Sequence, residues 1–390
     1  MSRIDPATSR FLDATRWMAA FAVVVAHVCT LVMKTGGAGA GYSLPVLVMG
    51  TLGNIGHLAV VIFFVISGYL VGGQELLRLQ DGAPLSIRRF AIQRFSRIYT
   101  VLAPALLMTL VFDALGARFA NGSGAYTDPP PAWMHPIESR EGLGTLIGNL
   151  LNLQTIFVEP FGSDGPLWSL ANEWWYYVVF GLVLVSLAHN RAAAPRMAAL
   201  AAAAVLIGVL PAAISLWFSL WLVGVALALL GRRWPGLPYR IAVGLMITSF
   251  LVALLGMRLT ELFWTQPQAV LNAYSLAVDA IAAVAFGIAL LSANRADLRG
   301  TGQVHRTLAG FSFSLYAVHY PALLLLLALA HDRLGIEFVQ PIGWAGFAIS
   351  AITLVPVVAY AWCFAALTER QTGTVRATLT RLSAGRVRAT

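Results

Sequence analysis

The sequence predicts an all-α, polytopic integral membrane protein. Three observations carry that expectation. Of its 390 residues 58% are hydrophobic and only 11% charged, its mean hydropathy is +0.76, and apolar runs recur along nearly the whole chain. A bilayer core accepts about 20 helical residues per crossing, which supplies the ruler. Ten runs meet it: Phe11 to Met33, Leu52 to Gly73, Arg97 to Leu115, Trp168 to Leu187, Met197 to Leu210, Ile214 to Leu230, Ile241 to Gly256, Val270 to Leu291, Leu308 to Ala330 and Ile342 to Leu367. The fifth and sixth are short, and Pro211 divides them.

Charge checks the count. With the N-terminus inside, 21 of the 26 basic residues fall on the cytoplasmic side, and only Lys34, Arg118, Arg140, Arg258 and Arg333 fall outside. Merging spans five and six would reverse every later loop and spoil that asymmetry, so ten helices in one bundle with both termini inside is the expected topology. The net charge of +9 is then topological, which argues against a nucleic-acid partner and leaves the lipid bilayer as the first one. Cys29 and Cys363 lie in apolar runs, where neither a disulfide framework nor a metal-ligand spacing arises. The first run is too long for a signal-peptide core and is expected to remain as an anchor. One long external loop, about Gly116 to Leu167, holds "TDPPPAWMHP" and the apolar piece "GTLIGNLLNLQTI", which is too short to cross and fits an interfacial or re-entrant helix. A basic tail, 368–390, follows the last span.

Ionisable residues inside spans are costly and point to function. The first span carries Asp13, Arg16 and His27. Eleven helical residues turn through about 1100°, so Arg16 and His27 share a face about 16 Å apart along the axis. Arg16 alone also fits a snorkelling anchor, and His27 alone a hydrogen bond to a neighbouring helix. The fourth span begins "GPLWSLANEWWYYVVF" and places Glu173 at a depth similar to that of His27, so a carboxylate is expected to orient the imidazole in an acid/base centre. The other reading of Glu173 is an interfacial carboxylate beside Trp168, Trp174 and Trp175. On the inner side "SIRRFAIQRFSRIY" presents Arg88, Arg89, Arg94 and Arg97, whose guanidinium forks suit phosphate and equally suit anionic lipid. His319, with Tyr316 on the same face, either lines a substrate path or holds its helix by hydrogen bonding. Asp279 is buried and unassigned, while His57, His135, His189, His305 and His331 are read as helix-end or loop residues. The Gly-rich "KTGGAGAGYS" lacks the strand-to-helix context of a phosphate cradle.

In order along the chain, these elements resemble the membrane-bound acyltransferase family 3, multi-span enzymes that O-acylate bacterial O-antigens, exopolysaccharides and some small molecules. "LDATRWMAAFAVVVAH" is similar to the family's opening Arg, ten residues and a His; "VIFFVISGYL" resembles its second-span signature; "RRFAIQRFSRIY" matches its RxxR element through Arg94 and Arg97. "GPLWSLANEWWYY" matches its Trp-Ser-Leu-x-x-Glu segment through Trp168, Ser169 and Glu173, and "FSFSLYAVHYP" resembles its Ser-Leu-Tyr-x-x-His-x-Pro motif through Tyr316 and His319. "DATRW" departs from a usual "DGLRG", and Ala59 and Val61 replace a frequent Gly and polar residue.

The resemblance implies a transmembrane acyltransferase domain over 1–367 in a bacterial cytoplasmic (inner) membrane. It implies transfer of an acyl group, expected to be acetyl, from cytoplasmic acyl-CoA to a hydroxyl of an extracytoplasmic saccharide or glycolipid, with no metal. Arg16, Arg88, Arg89, Arg94 and Arg97 would hold the donor, His27 and Glu173 would do the chemistry, and Tyr316, His319, Trp168 and Ser169 would line the substrate path. An acceptor such as a macrolide is the small-molecule variant. A transporter or proton-coupled flippase is the competing class, since buried Arg, His, Glu and Asp also form ion relays, although no inverted repeat is visible. A non-catalytic scaffold would leave the buried charges unexplained.

Overall fold

The structure, a computed structural model, describes residues 4–33, 44–127, 136–188, 192–234, 236–260, 268–295 and 302–385. The expected loop stretches "KTGGAGAGYS" and "TDPPPAWMHP" lie largely outside these residues, as do His135 and His189. Apart from isolated bridges the described residues form helices and no strand. In chain order the helices are α1 (Pro6–Val32), α2 (Leu44–Ser67), α3 (Gln74–Gln80), α4 (Ile87–Phe119), α5 (Leu143–Leu150), α6 (Trp168–Ser186), α7 (Ala193–Val209), α8 (Ala212–Leu230), α9 (Tyr239–Thr260), α10 (Gln268–Ser292), α11 (Gly302–Ala309), α12 (Ser312–Leu334), α13 (Trp344–Leu367) and α14 (Thr372–Gly385).

All ten expected spans are helical. Eight stretches of the described residues are long and apolar enough to cross a bilayer, so the protein is an all-α polytopic membrane protein. The remaining two are α7, at 17 residues, and α6, whose first turns carry Asn172, Glu173 and a run of tryptophans and tyrosines. The break between α7 and α8 falls where Pro211 predicted it: Leu210 turns to an extended conformation and Pro211 precedes the new helix. The basic tail is not irregular, because 372–385 continue as α14.

By contacts the chain divides into two compact units, the first built from Met1–Ala19, His57–Ile87 and Trp175–Ala309, the second from Ala20–Gly56, Arg88–Trp174 and Gly310–Thr390. In the first unit α2 passes through a π-helical turn, Gly68–Gly73, into α3, and this turn packs on α8 with almost no space between backbones. A Cβ on Gly68 would lie 1.8 Å from the Trp221 carbonyl oxygen, and one on Gly224 would lie 2.1 Å from the Val65 carbonyl oxygen. Helices in lipid gain no hydrophobic drive from pairing with each other, so such small-residue contact is how they associate. Trp221 Nε1–H donates to Ser67 Oγ at 3.1 Å, and Ser67 Oγ meets Tyr177 Oη at 3.0 Å, which satisfies the polar atoms at this seam. Phe11, Leu12, Val61, Leu220, Phe286 and Leu290 fill the core beside it.

In the second unit, α4 and α12 start at one end. Arg97 near the start of α4 and Ser314 in the first turn of α12 share Glu369, which follows α13. Arg88 bonds Ser383 Oγ and the Thr380 carbonyl of α14. At the other end Asp332 of α12 accepts the Gly122 N–H, just past α4, and Gln340 N–H donates to Val32 O at the end of α1. Two separate basic runs of the sequence, the start of α4 and α14, therefore gather at one end of this unit.

Candidate functional site

Four of the five family-like elements contribute residues to the second unit, and they meet there directly. His27, in the last third of α1, and His319, in α12, lie with Nδ1 and Nε2 2.7 Å apart and ring planes within 6° of each other. His319 is fully buried while His27 is partly exposed. The direction of this bond follows from the other ring nitrogen. His319 Nδ1 lies 2.7 Å from the Tyr316 carbonyl oxygen, which can only accept, so Nδ1 carries the hydrogen. Neutral His319 then offers a bare Nε2, and His27 Nδ1–H donates to it. His27 is left with its lone pair on Nε2, and that nitrogen has no hydrogen-bond partner among the described residues. Tyr320 stands edge-on to both rings, at 5.5 Å from His27 and 6.3 Å from His319, and limits their rotation. Beside His27 the chain is closely packed, since a Cβ on Gly56 of α2 would meet Ala26 Cβ at 2.8 Å.

Tyr316, one turn before His319, fixes the start of α6. Its hydroxyl donates to the Pro166 carbonyl, so the 2.6 Å contact with Ser169 Oγ must be a bond donated by the serine. Ser169 and Glu173 are four residues apart and share a face of α6. Trp168 is half-buried beside them, and Trp174 packs edge-on to Tyr99 at 5.3 Å. The expected pairing of Glu173 with His27 is corrected here. His27 Nδ1, the nitrogen a carboxylate was expected to orient, bonds His319 Nε2 instead. The physical reason is that a neutral imidazole with its own N–H satisfied by a carbonyl can accept this bond without the cost of burying an anion.

The basic end holds Arg88, Arg89, Arg94 and Arg97 on the first three turns of α4. Arg88 is exposed and reaches α14, and Arg97, whose guanidinium also covers the Phe313 ring at 4.7 Å, pairs with Glu369 at 2.9 Å. Arg16 belongs to the first unit, where it lies 4.0 Å from Asp13.

The apolar piece after α4 folds back along that helix. Tyr99 Oη donates to Leu150 O, at the end of α5, and accepts from Asn152 Nδ2, whereas Asp113, fourteen residues on, accepts both the N–H and the hydroxyl of Ser163. At 1.5 Å per residue the segment therefore runs along about 21 Å of α4 and returns. Irregular backbone at that depth survives only when protein surrounds it. Asn149, Asn152 and Gln154 are fully buried; Asn149 bonds the carbonyls of Thr145 and Glu159 and the Phe161 N–H, and Gln154 bonds Leu167 O. In the same segment Arg140 is buried, and burial lowers its guanidinium below the ordinary value against the opposing pull of Glu159, Asp113, Tyr320 and Glu141.

Two further ionisable groups lie in the first unit. Asp279, near the middle of α10 and fully buried, accepts from or pairs with His57 Nε2 at 2.8 Å. His57 is thus interior to α2, a correction to its reading as a helix-end residue, and it was misplaced because a single histidine hardly alters the hydropathy around it. His305 likewise is not solvated loop: its Nδ1 accepts from Trp17 Nε1 at 3.0 Å. His331 does sit in the last turn of α12, bonded to Ile336 O. Sequence reasoning missed Glu369 and Tyr320. The signal for Glu369 was present, since it is the lone acid in the basic tail.

In the second unit a hydrogen-bonded pair of imidazoles thus joins α1 to α12. Residues 9–362 match the family model of an acyltransferase domain, and the chain belongs to acyltransferase family 3. No match was found among curated proteins or among solved structures. The protein is a membrane acyltransferase.

Proposed function

We propose that the protein transfers an acyl group, acetyl in the first instance, from acyl-CoA bound at the basic end to a hydroxyl of a saccharide or glycolipid on the far side of a bacterial cytoplasmic membrane. The observation that carries this reading is the hydrogen-bond chain from Tyr316 O through His319 to His27, because it leaves His27 Nε2 as a base. Arg94 and Arg97, with Arg88 and Arg89, hold the phosphates of the donor, for which a planar guanidinium fork is suited. Ser169, Trp168 and Glu173 lie along the path to the dyad.

In the reaction His27 Nε2 removes the hydroxyl proton of the acceptor as its oxygen attacks the thioester carbonyl. The carbon–sulfur bond then breaks, and the imidazolium returns that proton to the thiolate of CoA. The positive charge formed on His27 is stabilised by His319, to which Nδ1–H already points. Glu173 shares a face of α6 with Ser169, whose hydroxyl bonds Tyr316.

The test is thiol release from acetyl-CoA by lipid-reconstituted protein, wild type against His27→Ala. Turnover in the wild type and its loss in the variant, followed by acetyl ester on a supplied saccharide, is the expected result. Trapping of an acyl-histidine would replace the base by a covalent carrier. Absence of both donor binding and turnover would move a transporter ahead, with the His57–Asp279 pair the first residues to examine as an ion path.

A further inference from the structure

We propose that Glu369 is a positioning residue that holds Arg97 in register with the helix carrying the His27–His319 pair. The inference rests on the reading of Arg97 as a ligand of a donor phosphate. Glu369 is 7% exposed, and each carboxylate oxygen has a separate task. Oε1 accepts from Arg97 Nη1 at 2.9 Å, and Oε2 accepts the Ser314 N–H, also at 2.9 Å.

Ser314 stands in the first turn of α12, where backbone N–H groups have no partner within the helix and an anion is favoured by the helix dipole. The same turn is reinforced by the contact of Ser314 Oγ with Thr368 Oγ1 at 3.4 Å and by Phe313 beneath the Arg97 guanidinium. His319 follows Ser314 by five residues, about 7.5 Å along the axis. One buried carboxylate therefore sets both the arginine at the basic end and the origin of the helix that orients His27.

Glu369 is not a lid that an incoming phosphate displaces. Moving it would strand a buried carboxylate and uncap α12, a far larger loss than one surface contact. Arg97 has no need to release it, because a guanidinium has five N–H groups, and the Arg97 side chain is 32% exposed where that of Glu369 is 5%. Part of the fork faces outward while the carboxylate fixes the rest.

Full-length protein in lipid nanodiscs is assayed for thiol release over a range of acetyl-CoA concentrations, comparing wild type, Arg97→Ala, Glu369→Gln and Glu369→Ala. The carboxamide oxygen of Glu369→Gln still accepts the Ser314 N–H but brings no charge to Arg97. The expected result is a donor KM raised about tenfold with kcat within about twofold, the loss of one charge-assisted bond. Glu369→Ala loses both contacts and is expected to lower kcat as well. An unchanged KM in Glu369→Gln, with KM raised in Arg97→Ala, overturns the positioning role and leaves the donor site standing. Equal falls in kcat for both Glu369 variants at constant KM also overturn it, since that is what a merely structural residue gives. A wild type that neither binds nor cleaves acetyl-CoA fails the functional reading itself. Should Glu369→Ala not fold, Glu369→Gln decides alone.

Discussion

Replacing His319 separates its role as partner of His27 from that of a packing residue. In His319→Leu the His27 Nδ1–H loses its acceptor, and the cation formed when His27 takes a proton loses the nitrogen that stabilises it. A hydrogen bond to a charged group contributes about 1.5–3 kcal/mol. At 1.36 kcal/mol per tenfold, that converts to a fall in kcat of about 10- to 150-fold. Donor KM should stay within about threefold, because the arginines of α4 make no use of His319. His319→Gln is the companion variant. Its carboxamide oxygen can accept where Nε2 did, so kcat should remain within about threefold of wild type. Thiol release in nanodiscs, with folded fraction matched by size exclusion and thermal unfolding, measures both. A His319→Leu protein that is folded and keeps wild-type kcat would refute the dyad, and so would equal loss in the Leu and Gln variants.

Other expectations concern packing and stability. Tyr316→Phe removes the hydroxyl that joins Ser169 to Pro166 and should cost about 1–3 kcal/mol in thermal unfolding, whereas Ser169→Ala leaves the bond to Pro166 and should cost about 0.5–1.5; the reverse order would show that the tyrosine is not the anchor. Gly224→Ala drives a methyl to 2.1 Å from Val65 O and should abolish a folded species in detergent, while Gly208→Ala, with nothing near its new methyl, should be tolerated. Comparable yields of the two would contradict the backbone contact at α8. His57→Ala leaves the Asp279 carboxylate buried alone and should destabilise by about 3–5 kcal/mol, with kcat of the folded fraction retained. Loss of kcat without loss of stability would instead give that pair a part in the reaction.

The sequence by itself determined the solvent, the spanning helices and the family-like elements from which the candidate site is drawn. Hydropathy, the 3.6-residue period and Pro211 act within one or two turns, so the long helices fall close to where local pattern puts them, whereas the short α3, α11 and α14 carry no such signal. His27, Tyr316, His319 and the RxxR arginines were legible because ionisable groups in apolar runs stand out against their surroundings. The course of 143–167 was half legible: its length excluded a crossing, but only the bonds to Tyr99 and Asp113 decided that it folds back along α4. Partnership was the part that tertiary structure decided. His27 and His319 are 292 residues apart, Arg97 and Glu369 272, and His57 and Asp279 222. Similar depth made Glu173 the candidate partner of His27, but depth fixes one coordinate and leaves the rotation of each helix about its axis free. That rotation is set by close packing at Gly56 and by Tyr316 locking α12 to the start of α6. These contacts brought a second imidazole, rather than a carboxylate, to His27 Nδ1.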